Sequence, residues 1–252
     1  MNTRGNTILI TGGGSGIGRA LAEAFHRLDN KVIIAGRRRE VLQQTAAANP
    51  GMEFVVLDTT KADSIQAAAT EVLQRFPTLN TVINNAGVQR VLDFSSDPPI
   101  DQAVVAEEID TNIVGVLKVT TAFLPHLKAQ PHATVINISS GLAFLPMARY
   151  PIYCATKAFI HSFSMSLRHQ LKSTSVHVVE LAPPWVATDL DASHDTPTTH
   201  EGMSPMPLAD FIAAAMQELS TDAEELHVAG AKFLYSSGIS DKANANFELI
   251  NH

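Results

Sequence analysis

Tyr153 and Lys157 stand four residues apart, a spacing that places a phenol and an ammonium one turn apart on the same face of a helix. A phenol ordinarily titrates near about 10, and a neighbouring cation favours its phenolate, so the pair can serve as a general acid and base closer to neutral pH. By itself Y-x-x-x-K recurs by chance on helical surfaces. A second chemistry is offered near the start of the chain, where an apolar run leads into Thr11, Gly12, Gly13, Gly14, Ser15, Gly16, Ile17 and Gly18. Glycines let the backbone turn sharply and approach a pyrophosphate, and a helix opening there presents free N–H groups and positive dipole charge. Gly12, Gly16 and Gly18 give G-x-x-x-G-x-G rather than G-x-G-x-x-G, and a plain tight turn is the alternative for the cluster taken alone.

The next apolar run ends in Gly36, Arg37, Arg38 and Arg39, with no acid before Glu40. In dinucleotide folds an acid at this point holds the ribose 2′-hydroxyl, whereas arginine accommodates a 2′-phosphate, so Arg37 and Arg38 favour NADP(H) over NAD(H). A solvated basic turn is the plainer account of the same residues.

These groups need elements to hold them. Apolar runs of strand length alternate with segments of helical period, the pattern of an α/β, Rossmann-type, doubly wound parallel sheet with helices on both faces. Six strands are expected, at Thr7–Thr11, Lys31–Ala35, Glu53–Leu57, Thr81–Asn84, Thr134–Ile138 and Val176–Leu181, with a seventh possible. Leu21, Ala22, Phe25 and Leu28 form one apolar helical stripe, and Ile65, Ala69, Val72 and Phe76 another. A helix running roughly from Tyr153 to Leu171 carries the phenol and the ammonium. No linker or repeat divides residues 1–252, which read as one domain. Asp189–Pro207 mixes Asp, Ser, Thr, His, Pro and Gly without period and reads as a loop that could close over a substrate.

Composition removes other functions. The 252 residues are 45% hydrophobic and 17% charged, enough for one large core without covalent staples. A net charge of −7, from 18 basic and 25 acidic residues, is the wrong sign for a nucleic-acid binder. No targeting signal and no membrane span are visible. Cys154 is the single cysteine, so no disulfide framework exists within the chain, and the cytoplasm is the simplest location.

Further residues join the pair. Ser140 lies thirteen residues before Tyr153, the fourth strand ends in Asn84, Asn85, Ala86, Gly87, and Asn112 sits in Thr111, Asn112, Ile113, Val114, Gly115. In this order and at these intervals, across about residues 5–190, they resemble the short-chain dehydrogenase/reductase family. Within it, the runs Ser140–Phe144 and Tyr150–Lys157, with His161–Ser164, are similar to bacterial oxidoreductases encoded beside the lipoteichoic-acid D-alanylation genes, which names no substrate.

The resemblance implies a proton-transfer site of Asn112, Ser140, Tyr153 and Lys157. Tyr153 would give the proton to a carbonyl, Ser140 would hydrogen-bond the same oxygen, Lys157 would hold the nicotinamide ribose, and Asn112 would hold a water in the proton path. Ser139 competes with Ser140, but the family's interval to the tyrosine is thirteen. The resemblance also assigns Gly12, Gly14, Ser15, Gly16, Ile17 and Gly18 to the pyrophosphate and Asp58 to the adenine amino group. Asn85, Ala86 and Gly87 would lie along the adenosine ribose, and Pro183, Val186 and Thr188 by the carboxamide. Two departures stand out. The family's Pro-Gly is Pro183-Pro184 here, and nothing from Glu224 to His252 matches the seventh strand and terminal Asp-Gly-Gly of the tetrameric members. A homodimer through the helices beginning near Asn112 and Tyr153 is expected.

The expected activity is an NADP(H)-dependent oxidoreductase acting on a small carbonyl or alcohol. The alternatives are a dinucleotide-sensing protein of the same fold without turnover, and a dehydratase or epimerase, whose relatives are generally longer. No metal motif appears among the ten histidines, and His161 and His169 read as packing or surface residues. Cys154 reads as a buried, inert thiol. Leu142, Phe144, Leu145, Met147 and Trp185 could line an apolar pocket or belong to the core.

Overall fold

The apolar runs form parallel strands because their Val, Ile and Leu side chains can be buried on both faces of a sheet. The computed structural model describes residues 2–95, 97, 99–192, 204–240 and 242–250. Its first half runs β1 (Thr7–Thr11), α1 (Gly16–His26), β2 (Lys31–Gly36), α2 (Arg39–Ala48), β3 (Glu53–Val56), α3 (Ala62–Arg75) and β4 (Thr81–Asn84). Then come α4 (Gln102–Ile109), a π turn (Asp110–Val114), α5 (Gly115–Ala129), β5 (Ala133–Ile138), a 3-10 turn (Gly141–Ala143), α6 (Pro151–Leu171) and β6 (Val176–Ala182). The chain finishes with α7 (Asp189–Ala192), α8 (Leu208–Leu219), β7 (Glu225–His227), α9 (Gly230–Gly238) and α10 (Ala243–Ile250).

The strands make one parallel sheet in the order β3-β2-β1-β4-β5-β6-β7. The order reverses between β1 and β4, so the C-terminal ends of these two strands open the crevice where such sheets take ligands. Alternation along a strand divides the core. Ile8 and Ile10 of β1 pack with Leu21 and Phe25 of α1 and Phe211 of α8 on one face. Leu9 faces the other, with Val72 of α3, Phe123 of α5 and Leu167 of α6. Each of these fully buried apolar side chains stabilises the fold by about 1.5–3 kcal/mol.

The six expected strands are present, β1 and β4 with the expected bounds and the other four with one end shifted by one residue. The seventh, β7, adds to the sheet edge through Glu180↔Glu225, Leu181↔Leu226 and Ala182↔His227. The seventh strand allowed for by the sequence is thus present, although the residues from Glu224 onward lack the terminal Asp-Gly-Gly of the tetrameric members. At three residues β7 is too short to show a period. The helix expected from Tyr153 begins at Pro151, whose missing N–H costs nothing in a first turn. In the expected substrate loop, α7 occupies Asp189–Ala192 and Met206 bridges to Val186, while residues 193–203 lie outside the described residues. Among the described residues no helix is long and apolar enough to cross a membrane.

Candidate active site

The glycine turn is pinned from below. Thr11 Oγ1 accepts the N–H groups of Asn85 and Ala86 at 3.0 and 3.1 Å, and Asn85 Nδ2 donates to the Thr11 carbonyl at 3.0 Å. The end of β4 is thereby held against the turn after β1. Gly12 has φ +67°, and a Cβ there would lie 3.0 Å from Ala86 Cα, so only glycine fits comfortably. A Cβ on Gly18 would collide with the Gly12 carbonyl and Asn85 Nδ2. Ser15 is the N-cap of α1 but makes no side-chain cap, leaving that helix end to offer its N–H groups outward. Gly12, Ser15, Gly16 and Ile17 line a cleft of about 780 Å³, and Gly14 lines an adjoining one of about 200 Å³. Gly18 lines neither and acts by letting α1 approach the turn. These features fit a dinucleotide pyrophosphate.

The smaller cleft is the basic end. Arg37, Arg38 and Asp58 line it with Leu42, Ala86 and Gly87. Arg38 Nη2 donates to Ser15 Oγ at 3.3 Å, so its guanidinium lies beside the glycine turn. Arg37 Nη1 lies 3.9 Å from Glu107 Oε1, and this exposed, loose pair leaves the arginine available. Burial pushes the Asp58 carboxyl upward, but hydrogen bonds from Thr60 Oγ1 and N, with the charges of Arg37 and Lys61, outweigh it and hold Asp58 below the ordinary range. It stays an acceptor at neutral pH.

The larger cleft brings Ser140, Tyr153 and Lys157 to one wall with Asn85, Ala86, Gly87, Pro183, Val186 and Thr188. Ser140 ends the segment after β5, and its Oγ accepts from Leu142 N at 3.1 Å, capping the 3-10 turn. Ser139 lines the same wall with a buried Oγ that has no hydrogen-bond partner among the described residues. Lys157 is buried, with Nζ donating to the Ile138 carbonyl at 2.8 Å and lying 5.5 Å from the Tyr153 ring centre. Burial pulls its ammonium down to about 8, against the pull of Glu180. The charged form that favours a phenolate is therefore dominant at neutral pH and is lost above about pH 8. Where Pro-Pro replaces Pro-Gly, the Pro183 carbonyl accepts from Gly141 N at 2.8 Å and ties β6 to the serine turn. Thr188 faces the glycine turn, its Cβ 3.7 Å from the position a Gly16 Cβ would take.

Asn112 lies in the π turn and outside the cleft lining. Its Oδ1 accepts from Val88 N at 2.9 Å, and its Nδ2 donates to the Val88 carbonyl and Thr156 Oγ1 at 2.8 and 3.1 Å. The carboxamide thus clamps the segment after β4 to α6. One turn earlier, Glu108 is completely buried, and its Oε1 accepts from Arg90 N at 3.2 Å. Burial is the main force raising this carboxyl to about 7; the Arg90 hydrogen bond and charge oppose it. Unfolded, the group titrates near 4.5, so the folded state holds the extra proton between the two values and stability falls as pH rises through that window. Glu108→Gln is expected to gain about 5 °C in Tm relative to the wild type between about pH 5 and about pH 8. A melting difference that does not change with pH contradicts this.

Several cleft residues carried no sequence signal. Tyr150, Met206, Phe233 and Leu234 join Leu142, Met147 and Trp185 to make one side of the larger cleft apolar, while Gln89 and Arg90 add polar groups at its edge. Phe233 and Leu234 sit on α9, far along the chain from Ser140. Ala229, at φ +48°, holds the turn that swings α9 over the serine loop. Of the apolar residues left open above, Leu145 is core and Phe144 packs edge-on against His161, His227 and Tyr235. Cys154 is buried, and burial pushes its thiol up to about 11, which makes it inert. His169 is exposed, whereas His161 is no mere packing residue: its Nδ1 lies 2.7 Å from Glu180 Oε2.

Comparisons with known proteins agree with this geometry. A family model described as short chain dehydrogenase matches residues 6–198. The uncharacterized oxidoreductase DltE of Bacillus subtilis is 40% identical over 220 residues, covering 86% of this chain and 87% of that protein. An uncharacterized oxidoreductase of Staphylococcus aureus (strain MRSA252) is 33% identical over 212 residues, covering 83% and 90%. Among solved structures, a short chain dehydrogenase from Burkholderia cenocepacia in complex with NADP superposes with a TM-score of 0.85 at 24% identity, covering 100% of both chains. An alcohol dehydrogenase from the archaeon Thermococcus sibiricus complexed with 5-hydroxy-NADP gives 0.76 at 25%, covering 88% and 94%. A 3-ketoacyl-(acyl-carrier-protein) reductase from Brucella melitensis complexed with NADH gives 0.80 at 24%, covering 89% and 97%.

Proposed function

We propose, from the premise that the chain belongs to the short-chain dehydrogenase family, that it is an NADP(H)-dependent oxidoreductase interconverting an apolar carbonyl compound and its alcohol. The observation that carries this is the placing of Ser140, Tyr153 and Lys157 on one wall of a cleft that continues to the glycine turn. A bound nicotinamide supplies or accepts the hydride.

The chain does the rest. Tyr153 gives its phenolic proton to the substrate oxygen in reduction and takes it back in oxidation. Ser140 Oγ hydrogen-bonds the same oxygen and stabilises the charge that develops there. Lys157 would hold the nicotinamide ribose while its ammonium favours the Tyr153 phenolate. With its carboxamide committed to Val88 and Thr156, Asn112 would hold a relay water through its main chain. Gly12, Gly14, Ser15, Gly16 and Ile17 would receive the pyrophosphate, with Gly18 allowing the close approach of α1. Arg37 and Arg38 would take the 2′-phosphate and Asp58 the adenine amino group. Asn85, Ala86 and Gly87 would line the ribose, and Pro183, Val186 and Thr188 the carboxamide. The NADP-type ligand of the Thermococcus sibiricus enzyme supports the preference; the NADH of the Brucella melitensis reductase is why it needs a test.

Leu142, Met147, Trp185 and Phe233 favour a substrate with an apolar arm. We place the protein in the cytoplasm as a homodimer, and sedimentation at micromolar concentration should give twice the chain mass; a monomer contradicts the dimer. The direct test of function is NADPH and NADH binding followed by NADPH oxidation with aldehydes, ketones and diketones. Tight NADPH binding with turnover of apolar members is expected. Failure to bind either cofactor overturns the proposal.

A further inference from the structure

Four polar side chains of α6 fall at i, i+4, i+7 and i+11 on the face that meets the sheet, where apolar residues are the rule. Lys157 Nζ reaches the Ile138 carbonyl, His161 Nδ1 reaches Glu180, Ser164 Oγ accepts from Asn137, and Arg168 Nε reaches the Val178 carbonyl at 3.0 Å. Ser164 and Arg168 have ordinary structural partners. His161 holds a carboxylate with no such account: Glu180 of β6 has no exposed surface, and while Oε2 sits 2.7 Å from His161 Nδ1, Oε1 has no hydrogen-bond partner among the described residues. A carboxylate can only accept, so the histidine donates. Glu180 pairs in register with Asn137, the residue before Ile138, whose carbonyl receives Lys157. Lys157 itself closes no ion pair among the described residues, and an ammonium buried so deeply is costly unless a countercharge acts on it.

We propose that Glu180, clamped by His161, is the fixed negative charge that keeps Lys157 an ammonium beneath the nicotinamide site, making both positioning residues for the proposed reaction. This rests on the role given to Lys157 above. The surroundings make a charge effective across a gap. Phe144 lies edge-on to His161 and His227 at 4.8 and 5.0 Å, and Tyr235 stacks on His227 at 4.2 Å, placing weakly polar rings beside the pair, where they screen its charge less than water would.

The charged and titratable groups facing Glu180 and Lys157 are Tyr153, His161 and Arg168 on α6, Glu225 and His227 on β7, and Lys232 and Tyr235 on α9. Burial, the largest influence, holds His227 below its ordinary range, so it adds little positive charge. Glu225 pairs with Arg168 Nη1 at 3.1 Å, the same arginine whose Nε lies 3.3 Å from Glu224 Oε2. The ligand atoms of His161, Glu180 and Glu225 lie within 4.8 Å of one another, with the Arg168 guanidinium on the Glu225 side of the group. Of the influences on Lys157, burial disfavours its charge and Glu180 opposes that loss.

The test is NADPH affinity against pH, from about pH 7 to about pH 10, where the cofactor's own phosphate no longer titrates. It is read in the Tyr153→Phe background, so that the phenol contributes no titration. With Glu180 intact, the Kd should rise as the pH passes about 8. With Glu180→Gln the same rise should come about one pH unit lower, as expected for losing one buried countercharge. Glu180→Met, which buries no new amide, takes its place if the glutamine protein does not fold. Lys157→Met should abolish the rise.

A Glu180 variant whose Kd rises at the unchanged pH, or is raised by one factor at every pH, overturns the inference and leaves the role of Lys157 standing. A Lys157→Met protein that keeps the rise overturns that role as well.

Discussion

Tyr153→Phe is expected to lower turnover by about 10²–10⁴-fold while NADPH affinity stays within about threefold of the wild type. Tyr153 is buried in the first turn of α6, where its ring packs with Tyr150 and Cys154. Phenylalanine keeps that packing and the ring face 5.5 Å from Lys157 Nζ. What it removes is the hydroxyl, and with it the transferable proton. Loss of cofactor binding in parallel with turnover would mean that the ring holds the cleft open. Retained turnover would mean that another group is the acid, with Ser139, Ser140 and Tyr150 the other hydroxyls lining the same cleft near it.

The double variant Arg37→Ala, Arg38→Ala is expected to raise the NADPH Kd about 10²-fold and the NADH Kd by less than about threefold. Hydrogen bonds to a charged phosphate are worth about 1.5–3 kcal/mol each, and the two are not additive. The larger share should belong to Arg38, which is held at the glycine turn by Ser15. Arg37 shares its charge with Glu107, which also pairs with Arg90 at 3.0 Å. Asp58 stays ionised through Thr60, so losing the Arg37 charge should not cost it its acceptor role. Equal weakening of both cofactors would show the arginines to be a solvated turn.

The cofactor half of the fold was legible because its chemistry is local. The glycine turn, Arg37, Arg38 and Asp58 each follow directly on an apolar run, so finding the strand finds the site. The residues proposed as catalytic were legible only jointly, through the intervals from Ser140 to Tyr153 and Lys157. The rest depends on contacts between distant parts of the chain. Phe233 and Leu234 reach the cleft because Ala229 turns the chain with a positive φ that no residue pattern announces. The π turn that aims Asn112 at Val88 has no compositional signature, and Asn112 consequently works as a clamp. His161 looked like packing because its partner, Glu180, lies in an otherwise apolar strand, where a carboxylate can be recognised as paired only once α6 lies across it. At three residues, Glu225–His227 could not be told from a loop.

The most direct test of hydride transfer to a carbonyl is reduction of an apolar ketone with NADPH deuterated at the nicotinamide carbon that gives the hydride. The account predicts deuterium on the carbon bearing the new hydroxyl, one per NADPH consumed, appearing about 10²–10⁴-fold more slowly in the Tyr153→Phe protein. NADPH that binds tightly but is not consumed by any member of the panel, or deuterium that never reaches that carbon, would contradict it, the former pointing to a cofactor-sensing protein.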